Sequence, residues 1–155
     1  MEDVKTRSQL DPSYDGDFFA WTQEQGRRLR ETRPNRIDWE IAEEIDCLGR
    51  SEKRSIEGNL PVVLLHLLKW QYQAGGRNNS WRKSIVEHRK RIRREITDSP
   101  SLRHYPSEVL AEEYEIARLG ASGETGLPET VLPEVCPYTV EQVQDADFWP
   151  DPPPG

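Results

Sequence analysis

The sequence has few cysteines and no long apolar run, and these two scarcities exclude several classes of protein. Only two cysteines occur in 155 residues, Cys47 and Cys136. A disulfide framework is therefore excluded, and so is a zinc site built from two close pairs of ligands. The most apolar stretch, Leu60–Leu68, is too short to cross a bilayer, which takes about 20 apolar residues. The N-terminal stretch MEDVKTRSQLDPSYDGD also lacks the basic and apolar regions of a secretion signal. We expect a cytoplasmic protein with no membrane partner.

The sequence also lacks the short motifs that carry common enzyme chemistry. It contains no nucleophile elbow, no phosphate-binding P-loop and no dinucleotide-binding fingerprint. These absences favour a protein that is not an enzyme and that carries no cofactor.

Hydrophobic residues make up 34% of the chain and charged residues 32%, which is typical of a small helical protein with solvated faces. Apolar residues recur at helical spacing, and no segment alternates as a strand does. We predict an all-α fold, a compact irregular helical bundle of about five helices plus a short C-terminal helix. The domain organisation predicted is a flexible N-terminal segment over residues 1–16, a single helical domain over residues 17–150 and a disordered tail over residues 151–155.

Apolar spacing, capping residues and turn signals locate the individual helices. The second helix should begin after Asp38 and carry a stripe of Ile41, Ile45, Leu48 and Ile56. Pro61 should kink this helix or restart it, giving one bent helical arm. Thr139 to Gln142 match the T-x-x-Q capping box of a short last helix. The other helices are predicted over residues 17–32, 60–73, 81–97 and 107–121.

Positive charge is concentrated in one short segment of an acidic chain. Eight basic residues and a single acid, Glu87, lie between Arg77 and Arg94. The segment has an excess of seven positive charges, and because the net charge is −7, the rest of the chain has an excess of fourteen negative charges. Ile85 and Ile92 mark the buried side of this fourth helix, so the basic side chains should face outward.

The basic helix over Arg82–Arg94 is the first candidate functional region. It has two interpretations. Its charges could pair with acids of the same chain, around Glu40–Glu44 or around Glu112, Glu113 and Glu115. Alternatively, the protein is a non-catalytic binding module whose basic helix binds an anionic partner, either an acidic protein or a nucleic acid. The sequence also leaves open that the protein forms a homo-oligomer. The residues of this candidate face are Arg77, Arg82, Lys83, Lys90, Arg93 and Arg94.

A second candidate lies on the third helix, which is apolar almost all round. Its narrow polar strip holds His66, Lys69 and Gln73, and it should face water, a groove or a polar network. His66 and His88 could lie level on neighbouring helices. With Glu40 or Glu44 they would form the metal-binding or hydrolytic site of a helical bundle, which is the alternative function. Sequence spacing argues against this alternative, because no Glu-x-x-His or His-x-x-x-His pair is present.

Several blocks of the sequence resemble a known family, the bacterial domain of unknown function 29 family. The resemblance runs from about Tyr14 to Pro150. It is carried by DFFAWTQEQGRRLR, DWEIAEEIDCLGRSEKRSIE, VVLLHLLKWQYQ, SWRKSIVEHRKRI, DSPSLR, ETGLP and CPYTVEQVQDADFWP. It implies a bacterial protein with a compact all-α domain, and it implies no particular activity.

Two positions depart from the family pattern. Pro61 falls where such proteins usually continue the helix with another residue, and His88 falls where glutamine is more usual. The second departure counts against a metal site built on two histidines throughout the family.

Overall fold

The computed structural model describes residues 13–32 and 36–154, without the side chains of residues 36–38. The described chain is helical and contains no strand, so the prediction of an all-α fold class is confirmed. The described residues form five helices: α1 (Phe18–Thr32), α2 (Arg36–Tyr72), α3 (Asn79–Asp98), α4 (Tyr105–Thr125) and α5 (Val140–Gln144). Short 3₁₀ turns follow α2, α3 and α4, at Ala74–Gly76, Pro100–Leu102 and Glu129–Val131.

The predicted second and third helices form one continuous helix, α2, which runs through Pro61. An interior proline costs about 3 kcal/mol, because it removes one backbone hydrogen bond and crowds the preceding turn. Leu60, Val63 and Leu64 lie on either side of it and are fully buried. Burial of each side chain of this size stabilises the fold by about 1.5–3 kcal/mol. Packing therefore outweighs the proline penalty, and the helix continues through Pro61.

The described residues divide into two compact units. The first contains the chain up to Arg54 together with Glu95–Arg103, and the second contains Ser55–Arg94 together with the chain from His104 onward. The prediction of a single domain over residues 17–150 stays a prediction. Of the predicted flexible segment, residues 1–12 lie outside the described part of the chain, as does residue 155 of the predicted tail.

Close packing of α1 on α2 organises the first unit. A Cβ atom placed on Gly49 would lie 2.1 Å from Oγ1 of Thr22, so the two helices approach where only glycine fits. Arg30 and Asp46 form an ion pair of 2.7 Å across the same pair of helices. The side chain of Asp17 accepts a hydrogen bond from the backbone N–H of Ala20 and so caps the start of α1.

The predicted apolar stripe at the start of α2 is partly wrong. Ile41 and Leu48 are 45% and 54% exposed, whereas Ala42 and Gly49 are buried. Gly49 faces Thr22 of α1 because a glycine permits this close approach, and the large side chains of Ile41 and Leu48 are turned outward. Ile56, the last residue of the predicted stripe, is fully buried.

The second unit has its core around the C-terminal half of α2. The fully or almost fully buried side chains come from α2, α3, α4 and α5. The predicted capping box is present, with Thr139 accepting from the backbone of Gln142 and Gln142 accepting from the backbone of Thr139. The described helices include none that is long and apolar enough to cross a membrane. The core residues include Leu64, Leu67, Leu68, Ile85, Ile92, Tyr114, Ala117 and Val143.

Candidate functional site

Helix α3 carries the basic face, and its orientation is as predicted. Oδ1 of Asn78 accepts a hydrogen bond of 2.9 Å from the backbone N–H of Trp81, so Asn78 caps the first turn. Ile85 and Ile92 are 0% and 1% exposed. Since these two side chains are buried, the opposite side of the helix faces solvent.

Five of the six residues of the predicted basic face are exposed on α3. Four of them form no ion pair or hydrogen bond with any residue that the structure describes, and in particular none with the acidic segments considered above. The acid within the segment, Glu87, pairs with Arg91 at 2.7 Å. Within the described part of the chain, this surface therefore retains positive charge that no acid neutralises by direct pairing. We define the basic face as these four cations: Arg82, Lys83, Lys90 and Arg94.

Arg77, the sixth predicted residue, has a structural contact instead. Its Nε donates a 2.8 Å hydrogen bond to the carbonyl of Trp70, and its guanidinium lies 4.8 Å from the centre of the Trp70 ring. Its Nη2 also reaches the carbonyl of Pro150. Arg77 thus ties the turn after α2 to the C-terminal segment and is not part of the basic face.

Arg89 is an exception to the prediction that the basic side chains of this helix face outward. It is 2% exposed, between Ile85 and Ile92 on the buried side of α3. Its Nε donates to the carbonyl of Val143 at 2.8 Å and its Nη2 to that of Gln142 at 3.1 Å. Its spacing, four residues after Ile85 and three before Ile92, could have predicted this burial.

The electrostatic environment of Arg89 is unusual for a buried cation. The pKa of Arg89 is lowered to about 10, mainly by burial, with the charge of Asp145 acting to raise it and the charge of Arg93 acting to lower it. The side chain therefore stays charged at neutral pH. Its Nη1 is buried and has no hydrogen-bond partner among the described residues.

Two cavities open beside these cations in the second unit. A groove of about 560 Å³ is lined by α3 residues alone among those described, including Arg82, Lys83 and Lys90, and it has the half-exposed Val86 in its wall. A smaller cavity of about 210 Å³ is lined by Val86, Arg89, Lys90, Arg93 and Ala146. Both cavities are lined by more basic than acidic side chains, which suits an anion.

The predicted polar strip on α2 faces a polar network, one of the environments predicted for it. Lys69 is 9% exposed, and its Nζ lies 2.9 Å from Oε2 of Glu124 and 4.5 Å from the centre of the Trp81 ring. Nδ1 of His66 lies 2.8 Å from the carbonyl of Val62 and so donates to it. Burial lowers the pKa of His66, which favours the neutral ring. Gln73, the last member, is half-buried.

The alternative metal site is not assembled. No group of three or more His, Cys, Asp or Glu side chains within the described chain is placed to hold a metal ion. Nδ1 of His88 lies 2.8 Å from the carbonyl of Ser84, a local contact like that of His66. His66, His88, Glu40 and Glu44 are therefore not brought together as that hypothesis required.

An acidic pocket in the first unit was not predicted, because its members lie on three separate segments. Its volume is about 350 Å³, and Glu52 and Asp98 line it together with Tyr14, Asp15 and Phe18. The pKa of Glu52 rises to about 8, first because of burial and then because of a hydrogen bond with Glu95 and the charges of Glu95 and Asp98. A hydrogen bond between two carboxyl groups needs a proton, and Glu52 holds it at neutral pH.

Taken together, the fold and the candidate site define an all-α protein with an exposed basic face and no assembled metal site within the described residues. The family model for the domain of unknown function DUF29 matches residues 13–149, which is most of the chain. The chain belongs to this family. No curated protein and no solved structure matches it.

Proposed function

We propose that the protein is a non-catalytic binding module that uses the basic face of α3 to hold an anionic partner. The observation that carries the proposal is the set of four exposed cations on one helix without partners among the described residues. Exposed cations within one or two turns of each other repel, and an anionic partner relieves this repulsion.

The overall charge of the chain limits the kind of binding to be expected. At a net charge of −7 the protein repels a polyanion at long range. At physiological salt this repulsion is largely screened beyond about 8 Å, whereas the basic face acts at contact distance. Binding should therefore be local, dependent on orientation and strongly weakened by salt.

The groove along α3 supports a partner that offers more than charge. Val86, 45% exposed, places an aliphatic surface between Arg82 and Lys90. Lysine and arginine stems add further apolar area beside it while their charged ends stay in water. A partner with anionic groups flanking an apolar group would use both features.

The test compares charge reversal on the basic face with charge reversal elsewhere. Arg82→Glu with Lys83→Glu should abolish retention on a heparin column at low salt and weaken binding of a short duplex DNA by at least tenfold. The slope of log affinity against log salt should fall by about one for each phosphate that the variant no longer neutralises. Retention of wild type no stronger than that of the reversed variant would contradict the proposal.

The matched control is Arg50→Glu with Arg54→Glu, which changes the net charge by the same amount on exposed positions of α2. This variant should bind as wild type does. If both variants lose retention equally, net charge rather than the basic face is responsible, and the proposal fails.

A further inference from the structure

We infer that the cavity beside Arg89 is a site for a small tetrahedral oxyanion of the phosphate class, held between Lys90 and Arg93. The inference rests on the proposed function, because Lys90 belongs to the basic face. It goes further by naming the chemical group that is bound and by adding a buried residue, Arg89, to the site.

The walls of this cavity are positively charged. Three of the five lining side chains are cations and none is an acid: Arg89, Lys90 and Arg93 stand with Val86 and Ala146. Asp145 is the acid whose charge favours the charged form of Arg89, and it does not line the cavity. Positive charge therefore exceeds negative charge around this space.

Arg89 is a buried cation whose hydrogen bonds within the described chain go to neutral groups. Buried charges in proteins are normally paired with an opposite charge. The hydrogen bonds of Arg89 go to two neutral carbonyls, those of Gln142 and Val143, and its Nη1 has no hydrogen-bond partner in the described chain. An oxyanion in the cavity would supply the counter-charge through Coulombic attraction, which is strong near a buried group.

The Arg89 side chain is held in place by its contacts. Arg89 is held by α5 carbonyls on one side and lies 5.6 Å from the centre of the Trp149 ring. A guanidinium fixed in this way loses little further side-chain entropy when an anion arrives. The volume of about 210 Å³ is larger than the roughly 30 Å³ that one water occupies in the liquid, so a tetrahedral oxyanion fits.

The experiment measures thermal unfolding and calorimetric binding with inorganic phosphate against sodium chloride of equal ionic strength. Phosphate should raise the midpoint temperature of thermal unfolding of wild type above the value measured in chloride. Lys90→Ala with Arg93→Ala should weaken phosphate binding at least tenfold. Arg50→Ala with Arg54→Ala, which changes the net charge equally at exposed positions outside the cavity and the basic face, should bind phosphate like wild type.

A second arm separates free phosphate from a phosphate carried by a larger ligand. A 5′-phosphorylated trinucleotide is compared with its 5′-hydroxyl counterpart on the same variants. Dependence on Lys90 and Arg93 in either arm supports the inference, and tighter binding of the phosphorylated trinucleotide than of inorganic phosphate identifies a monoester as the better ligand. Phosphate that acts no better than chloride, together with equal trinucleotide binding, would overturn it.

The two proposals fail separately. Arg82 and Lys83 do not line the small cavity, so their reversal tests the basic face and leaves the direct cavity contacts in place. Heparin retention that survives reversal of Arg82 and Lys83 would overturn the basic-face proposal alone, whereas phosphate binding that survives Lys90→Ala with Arg93→Ala would overturn the cavity proposal alone.

Discussion

Glu52 on α2 and Glu95 on α3 are joined by a hydrogen bond between their carboxyl groups, beside Asp98 in the acidic pocket of the first unit. Such a pair is stable only while one of the two is protonated. The pKa of Glu52 is about 8 in the folded protein against an ordinary value of 4.5. The folded state binds this proton more tightly than the unfolded chain does. The contribution of the pair to the stability of the first unit is therefore fully present below pH 4.5.

The first prediction is that this stability is lost as the pH rises from about 4.5 through 8. Glu52→Gln keeps a neutral side chain at every pH, so the variant should be more stable than wild type at pH 9 by about 1–2 kcal/mol, a value discounted for solvent screening. The difference should shrink at pH 5. Chemical denaturation across this range measures it, with the exposed Glu43→Gln as control. A difference independent of pH would contradict the shared proton.

The second prediction concerns two glycines on α2 with opposite environments. Replacing a helix glycine with alanine normally stabilises by about 1 kcal/mol. Gly58→Ala should follow this rule, because nothing lies within 4 Å of its new Cβ. Gly49→Ala should instead destabilise by about 2 kcal/mol, because its Cβ would meet Thr22. Unfolding of both variants by denaturant measures the difference in sign, and equal effects would refute the close packing of α1 on α2.

The third prediction is that Arg89→Ala destabilises the protein by about 2–3 kcal/mol. The substitution leaves the carbonyls of Gln142 and Val143 without their donors and removes a buried side chain from beside Trp149. Arg91→Ala, on the exposed side of α3, should stay within about 0.5 kcal/mol of wild type. Thermal unfolding checks both values. An Arg89→Ala variant as stable as Arg91→Ala would remove Arg89 from its anchoring role.

The fourth prediction is that removing Glu124 from its ion pair with Lys69 destabilises the protein more than removing Lys69 does. The Lys69 side chain is 11% exposed and the Glu124 side chain 53%. Glu124→Gln leaves a nearly buried ammonium without its counter-charge, whereas Lys69→Met removes that charge and keeps an apolar stem. Glu124→Gln should therefore lower the free energy of unfolding by about 1 kcal/mol more than Lys69→Met does. A double-mutant cycle should give a coupling of about 1 kcal/mol, and no measurable coupling would contradict the pair.

Local patterns predicted much of the helical structure, since helix spacing and capping depend on residues close together in sequence. The all-α class, the burial of Ile85 and Ile92, and the capping box at Thr139 follow from such patterns. The continuity of α2 through Pro61 was only partly foreseen. A proline penalises a helix locally, and the burial that offsets the penalty is a tertiary quantity.

The sequence predicted the candidate basic face only in part. Arg82, Lys83, Lys90 and Arg94 are exposed as expected, because the apolar stripe of α3 fixes which side faces solvent. Arg77 was misplaced because its partners, Trp70 and Pro150, lie in segments far apart along the chain. The acidic pocket was missed for the same reason, as Glu52 and Glu95 are brought together only by folding.

What the sequence by itself determined is the concentration of positive charge between Arg77 and Arg94 and the helical periodicity that turns most of it outward. Tertiary structure alone decided which cations have no partner among the residues that the structure describes, that Arg89 is buried against α5, and that a carboxyl pair forms in the first unit. The physical reason is the distance along the chain over which each effect acts. Periodicity acts over a few residues, whereas burial and the pairing of charges depend on groups that the folded chain brings within a few ångströms.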